Sequence, residues 1–252
     1  MKTAGAINIK TPQEIEILSE GGKILAGIIS DLRGYLKAGV STREVDAQAE
    51  RLIKKANVLP AFKNYRGFPA CICVSINEEI VHGIPGDRIL KEGDIVSLDV
   101  GIVHKNYYAD TAVTVGVGKI SAQLEKLLDV TLQSLFKGIE QAREGNHLSD
   151  ISHAIQKYVE SNHFSIVRDF VGHGIGKSLH EDPEIPNFGS PKNGPVLKAG
   201  MVFAIEPMVN LGSWQTRIAE DGWTVKTQDG QPSAHFEHTI AILKEGPKIL
   251  TQ

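Results

Sequence analysis

The sequence predicts an α+β fold of two pseudo-symmetric halves, in which a curved antiparallel sheet is covered by helices. Three observations predict it. Residues 90–101, LKEGDIVSLDVG, and 197–206, LKAGMVFAIE, share a Leu-Lys-x-Gly turn, an apolar run and a closing acid. Asp99 and Glu206 hold the same place in each stretch. Gly39…Glu44-Val45 recurs as Gly145…Asp150-Ile151 at an offset of 106, and Asp99 recurs as Glu206 at an offset of 107. Helix-like and strand-like periodicities also follow in the same order in both halves. If the repeat is real, the halves pack around a pseudo-two-fold axis and bring Asp99 and Glu206 towards each other.

The elements follow in order. Thr11-Pro12-Gln13-Glu14 has the form of a helix start, with Thr11 as N-cap, Pro12 at the first helical position and Glu14 completing a capping box. That helix carries Ile15, Leu18 and Ile24–Leu25 inward and runs towards Tyr35. A second begins at Gly39–Glu44 and places Val45, Ala49, Leu52 and Ile53 on one face. Strands are expected near 72–77, 94–102 and 107–115, then helices near 121–143 and 149–162. Short strands return near 165–170, 201–210, 214–218, 223–227 and 235–243. No linker or low-complexity segment interrupts the chain, which reads as a single domain, 1–252, with halves at about 10–118 and 119–250.

Composition narrows the function. The chain has 252 residues, 27 Lys and Arg against 30 Asp and Glu, and 41% hydrophobic residues. The resulting charge of −3 gives no reason to expect nucleic acid or an anionic membrane as partner. No apolar run approaches a transmembrane length, and the first residues lack a signal-like block. Cys71 and Cys73, two apart in a strand-like run, suit no ordinary disulfide. Reduced thiols and a cytoplasmic location follow.

Acids inside apolar strands are the chemical signal. Burying Asp99 is costly unless a positive charge meets it. Asp110, in YYADTAVTVG, follows a tight connection at His104-Lys105-Asn106. A two-residue turn there puts Asp99 and Asp110 on one face of the sheet; a three-residue loop puts them on opposite faces. Glu237, in HFEHTIAIL, is a further strand acid, with His238 facing the other way. Edge-strand solubility charges would explain one acid, but Asp99, Asp110, Glu206 and Glu237, two per half, point to an oxygen-rich divalent metal site.

GHGIGKSLHEDP, residues 172–183, can add one nitrogen ligand through His173. The gap of seven to His180 and the intervening glycines exclude a helical zinc-protease motif, and no Lys-Ser pair supports a phosphate cradle. VHGIPG, residues 81–86, sets His82 before a Gly-Pro turn. Bridging carboxylates that hold two ions activate a shared water and polarise a carbonyl, while one acid shuttles the proton. That is amide or ester hydrolysis. Mostly oxygen donors with one histidine fit Mn, Fe, Co or a catalytic Zn rather than a structural zinc site.

With these residues in view, the chain resembles type I methionine aminopeptidase of the pita-bread fold. NYRGFPACICVSINEEIVHGIPG, GDIVSLDVG, ADTAVTVG, GHGIGKSLHEDP, MVFAIEPM and DGWTVKTQDG carry the resemblance over nearly the whole chain. It implies two divalent ions per chain (Co²⁺, Mn²⁺, Fe²⁺ or Zn²⁺) held by Asp99, Asp110, His173, Glu206 and Glu237. Asp110 and Glu237 would bridge, Asp99 would chelate one ion, and His173 with Glu206 would hold the other. Glu206 would also shuttle the proton. His82 and His180 would contact substrate, and Tyr65, Phe68, Cys73 and Trp223 would line the methionine slot. Without the resemblance, these aromatics read equally as core. Arg66 and Leu179 depart from the common pattern, which has histidine and phenylalanine there.

The resemblance further implies a monomer acting on the N-termini of nascent polypeptides with small second residues, with possible ribosome contact. A prolidase or proline aminopeptidase shares the ligand set but usually carries a substantial N-terminal domain, whereas only a short leader is expected here. A non-catalytic pita-bread binding protein would have lost metal ligands, and all five are present.

Overall fold

The computed structural model describes residues 6–252; the first five residues of the leader lie outside them. Helix α1 (Pro12–Tyr35) starts at the predicted cap. The Glu14 N–H donates to Thr11 Oγ1 at 3.3 Å, and the Thr11 N–H donates to the Glu14 carboxylate at 2.9 Å. Helix α2 (Thr42–Lys55) repeats the device with Ser41 and Glu44. Helices α3 (Ala122–Gln141) and α4 (Leu148–Ser161) open the second half.

The expected repeat is visible in the backbone. The Gly39 N–H donates to Leu90 O at 2.9 Å, and the Gly145 N–H to Leu197 O at 3.0 Å. Returning bonds run from the Leu90 N–H to Val40 O and from the Leu197 N–H to Asn146 O, at 2.8 and 2.7 Å. Gly39 and Gly145 have φ of 93° and 92°, a region that penalises any Cβ, so the turns before α2 and α4 share both geometry and residue type.

The strands of the first half are β1 (Leu59–Pro60), β2 (Cys73–Ile76), β3 (Glu79–Val81), β4 (Ile95–His104) and β5 (Tyr107–Gly116). In the second half they are β6 (Ser165–Ile166), β7 (Gly172–Gly174), β8 (Glu181–Ile185), β9 (Val202–Ile205) and β10 (Met208–Asn210), then β11 (Thr216–Ile218), β12 (Val225–Thr227), β13 (Ser233–His235), β14 (Glu237–Leu243) and β15 (Gly246–Ile249). One antiparallel sheet runs β1-β4-β5-β14-β9-β7-β8, with β2 on β4 and β15 on β14. Two small sheets, β13-β10-β6 and β11-β12-β3, extend beside it.

Some boundaries depart from the sequence reading. The stretch 201–210 is two strands in different sheets, broken at Glu206-Pro207, because proline has no N–H for the ladder. The stretch 235–243 divides at Phe236, and 165–170 shortens to β6. Strands β7 and β8 were not expected, since their Gly-rich and acidic sequences lack strand propensity. A Cβ on Gly172 would lie 2.4 Å from Ala204 O, and one on Gly174 would lie 2.3 Å from Asp182 O. Glycine is what lets β7 fit between its neighbours.

The β4–β5 hairpin turns at Lys105-Asn106, both with positive φ (48° and 65°). This two-residue turn puts Asp99 opposite Ala112 and Gly101 opposite Asp110, so Asp99 and Asp110 share a face. The other face carries Leu98, Val100, Ile102, Ala109 and Val113, which join Leu25, Ile28, Ile29 and Leu32 of α1 in the main core. Burying such side chains fully stabilises by about 1.5–3 kcal/mol each, so helices fix one face and leave the other to the site.

Candidate active site

Sheet register assembles the acids. Ala112 of β5 pairs with Asp99 on β4 and with Glu237 on β14. Asp110 lies two residues from Ala112 and points the same way. The β14–β9 ladder ends at His238–Ile205, which sets Glu206, one residue on, beside Glu237. His173 pairs with Ala204, two residues before Glu206. Five side chains from five segments thus share one sheet face. Cys73, opposite Asp99, extends the row.

The joint between the halves is hydrogen-bonded through their backbones. Thr239 Oγ1 donates to Asp110 O at 2.7 Å and accepts from the Asp110 N–H at 3.1 Å. Thr111 Oγ1 donates to Glu237 O at 2.6 Å. The carboxylates themselves are left with free lone pairs. Among the described residues, buried Asp99 Oδ1, Asp110 Oδ1 and Glu237 Oε1 have no hydrogen-bond partner. One donor atom each from Asp110, His173 and Glu237 lies within 4.8 Å of the others. His173 Nδ1 lies 2.9 Å from Gly174 O. A carbonyl only accepts, so Nδ1 carries a proton, which leaves Nε2 as the nitrogen facing the acids, 3.7 Å from Glu206 Oε1.

The electrostatics follow from burial. Burial pushes the Asp99 carboxyl up to about 7, and burial likewise pushes Glu206 up to about 7, with His173 opposing. Burial, then the Asp99 charge, raises Asp110 well above the usual carboxylate range; burial, then Asp110, does the same to Glu237. Four acids this close repel unless cations meet them. Unpartnered buried oxygens, clustered acids and an imidazole nitrogen facing them are the donor set a divalent ion takes.

Every candidate metal, substrate and pocket residue from the sequence lines one cavity of about 270 Å³. The donors form its floor. Phe68 and Trp223 meet edge to face at 5.3 Å on one wall, with Tyr65 and Cys73. Burial, then the Asp99 charge, keeps the Cys73 thiol protonated and apolar. Tyr65 Oη lies 2.8 Å from His180 Nδ1, and the His180 ring centroid lies 4.4 Å from that of His173. His82, at φ 59°, packs edge to face on Phe170 at 5.8 Å. Burial lowers the His82 pKa to about 4; burial, then His173, lowers that of His180 to about 3. Both rings are neutral at pH 7.

The chain matches the family model "Metallopeptidase family M24" over residues 16–244. The chain belongs to metallopeptidase family M24, among the methionine aminopeptidases. It is 55% identical to methionine aminopeptidase 1 of Bacillus subtilis over 243 residues, 96% of this chain and 98% of that one. The crystal structure of methionine aminopeptidase from Thermotoga maritima superposes with a TM-score of 0.96 at 48% identity, covering 98% of this chain and all of that one. Prolidase from Pyrococcus furiosus shares the fold alone, at 24% identity and a TM-score of 0.78; the match covers 97% of this chain but 65% of prolidase. The fold is the pita-bread fold of these methionine aminopeptidases, and the family implies divalent metal. No helix of the described residues is long and apolar enough to cross a membrane.

His235 escaped the sequence reading. It is 1% exposed, with Nε2 3.5 Å from Glu206 Oε2 and, among the described residues, no hydrogen-bond partner for either ring nitrogen. Thr114 holds its backbone, accepting from the His235 N–H and donating to His235 O, each at 2.8 Å. Period-two alternation back from Glu237 is the signal that could have found it.

Proposed function

We propose that this chain hydrolyses the peptide bond after an N-terminal methionine when the second residue is small, acting in the cytoplasm as a monomer on nascent polypeptides, with the ribosome as a possible meeting place. One observation carries the reading: an acid-and-imidazole floor and an apolar aromatic slot share one cavity. Residues 1–252 act as one catalytic domain, since the floor draws on both halves.

Asp99, Asp110, His173, Glu206 and Glu237 would hold two divalent ions, Mn²⁺, Fe²⁺, Co²⁺ or Zn²⁺, which when bound lower the pKa of water and polarise a carbonyl. The protein's own groups do the rest. Glu206 takes the proton of the attacking water and returns it to the leaving amine. His180, steadied by Tyr65, meets the scissile carbonyl oxygen as charge builds there. His82 and His180 together grip the peptide unit beyond the methionine slot. Tyr65, Phe68, Cys73 and Trp223 hold the methionine side chain, whose thioether suits an aromatic edge.

The test measures metal content together with amino-acid release from Met-Ala-Ser and Ala-Pro peptides. Release of methionine from Met-Ala-Ser by metal-loaded protein, lost in chelator, is the expected result. Preference for Ala-Pro would move the chain to the proline-specific enzymes, and full activity without metal would refute the metal site.

A further inference from the structure

The cavity mouth carries two charges that the chemistry above does not use. Arg66 is exposed, at φ 50° within the tight Tyr65–Gly67 turn, and its guanidinium carbon lies 5.4 Å from the Tyr65 ring centroid. It forms no ion pair among the described residues. The left-handed backbone and the Tyr65 face together hold the guanidinium on the rim, where it lines the cavity. Tyr65 also bonds to His180, so Arg66 belongs to the His180 side of the mouth. Its charge is one of those that lower the His180 pKa, which requires the two to be close.

Asp169 also lines the cavity, next to Phe170, which packs on His82. It is therefore on the His82 side. Asp169 Oδ2 accepts from Thr216 Oγ1 at 2.7 Å, which partly satisfies it. The neighbouring Arg168 is turned away onto the Trp214 and Phe188 rings, at 4.9 and 5.5 Å. The mouth is thus positive and unpartnered on one side, negative and already hydrogen-bonded on the other.

We propose that Arg66 reads the charge of the third residue of the substrate and favours a carboxylate there. This rests on the aminopeptidase reading. A small second residue leaves the third side chain as the first to clear the rim, since an extended peptide advances about 3.3–3.6 Å per residue, and of the two charges lining the mouth Arg66 is the one without a partner among the described residues. Arginine matches a carboxylate with a fixed fork of donors. Its free guanidinium needs no partner displaced, whereas Asp169 would have to give up part of its bond to Thr216 to receive a cation.

The test compares kcat/KM for Met-Ala-Asp-Ser and Met-Ala-Lys-Ser on metal-loaded protein. An exposed pair of this kind gives about a threefold preference for the aspartate peptide. It should collapse towards unity near 1 M salt, where the screening length falls to about 3 Å. R66A should equalise the two peptides, R66E should invert the preference, and D169N should increase it. Equal rates, preference for lysine, or an aspartate preference that survives R66A would overturn the proposal and leave methionine release standing. Release of methionine from neither peptide would overturn the aminopeptidase reading and this proposal with it.

Discussion

Lys10→Ala tests how the loop carrying His180 is held. Lys10 Nζ donates to Glu181 Oε2 at 2.6 Å, and the two side chains are 6% and 8% exposed. Glu181 follows His180 directly and also accepts from Asn8 Nδ2 at 3.1 Å and from the Lys177 and Ser178 N–H groups at 2.8 and 3.3 Å. Burial raises the Glu181 pKa, but Lys10 and Asn8 outweigh it and keep the carboxyl ionised. Removing Lys10 leaves that charge buried with three neutral donors. Loss of one partner costs about 3–5 kcal/mol, and the remaining donors place this case at about 3. For a chain of this length the melting temperature should fall by roughly 6–12 °C, read by calorimetry on metal-saturated protein. Displacing His180 should also lower kcat about tenfold, since misplacement by 1 Å can cost more than that. Lys10→Met keeps the apolar stem and should behave like Lys10→Ala, whereas the double variant Lys10→Met/Glu181→Gln should recover most of the melting temperature, because no lone charge remains. A Lys10→Ala protein melting within about 2 °C of the parent, or a double variant no better than the single one, would refute this reasoning.

Three further outcomes follow from the site. Glu206→Gln should fold and retain metal yet lose about 10²-fold or more in kcat, because the amide cannot shuttle a proton; near-native kcat on metallated protein would assign Glu206 a holding role only. Metal-free protein should lose stability as pH rises from about 4.5 through 7, because Asp99 and Glu206 titrate near 7 when folded, the folded state binds more protons in that window, and ∂ΔG/∂pH is negative; denaturant midpoints across pH check it, and saturating divalent metal should flatten the dependence. Ala112→Leu should abolish metal binding measured by isothermal titration, since Ala112 stands between Asp99 and Glu237 on the donor face and a longer side chain takes the space of the ion.

Legibility from sequence followed locality. The cap of α1 was readable because a capping box is written within four residues. The four strand acids were readable because each breaks an apolar pattern, and an offset of 107 tied Asp99 to Glu206. Whether Asp99 and Asp110 shared a face hung on one turn residue, which only the register settled. Strands β7 and β8 were hidden because glycine and acids there serve close approach rather than strand propensity. The break at Glu206-Pro207 was missed although the proline was in view. His235 was hidden more deeply: its environment comes from Thr114, 121 residues away.

The Thr239–Asp110, Thr111–Glu237 and Thr114–His235 hydrogen bonds span 121 to 129 residues and tie β5 to the far end of the chain. Contacts of such long range close late in folding, because loop entropy must be overcome first. Asp99 and Asp110 emerge from the ribosome more than ninety residues before Glu206 and Glu237. For that interval the set of four acids lacks Glu206 and Glu237. On the reading proposed above, that placement would leave the metal site incomplete until the last strands have docked.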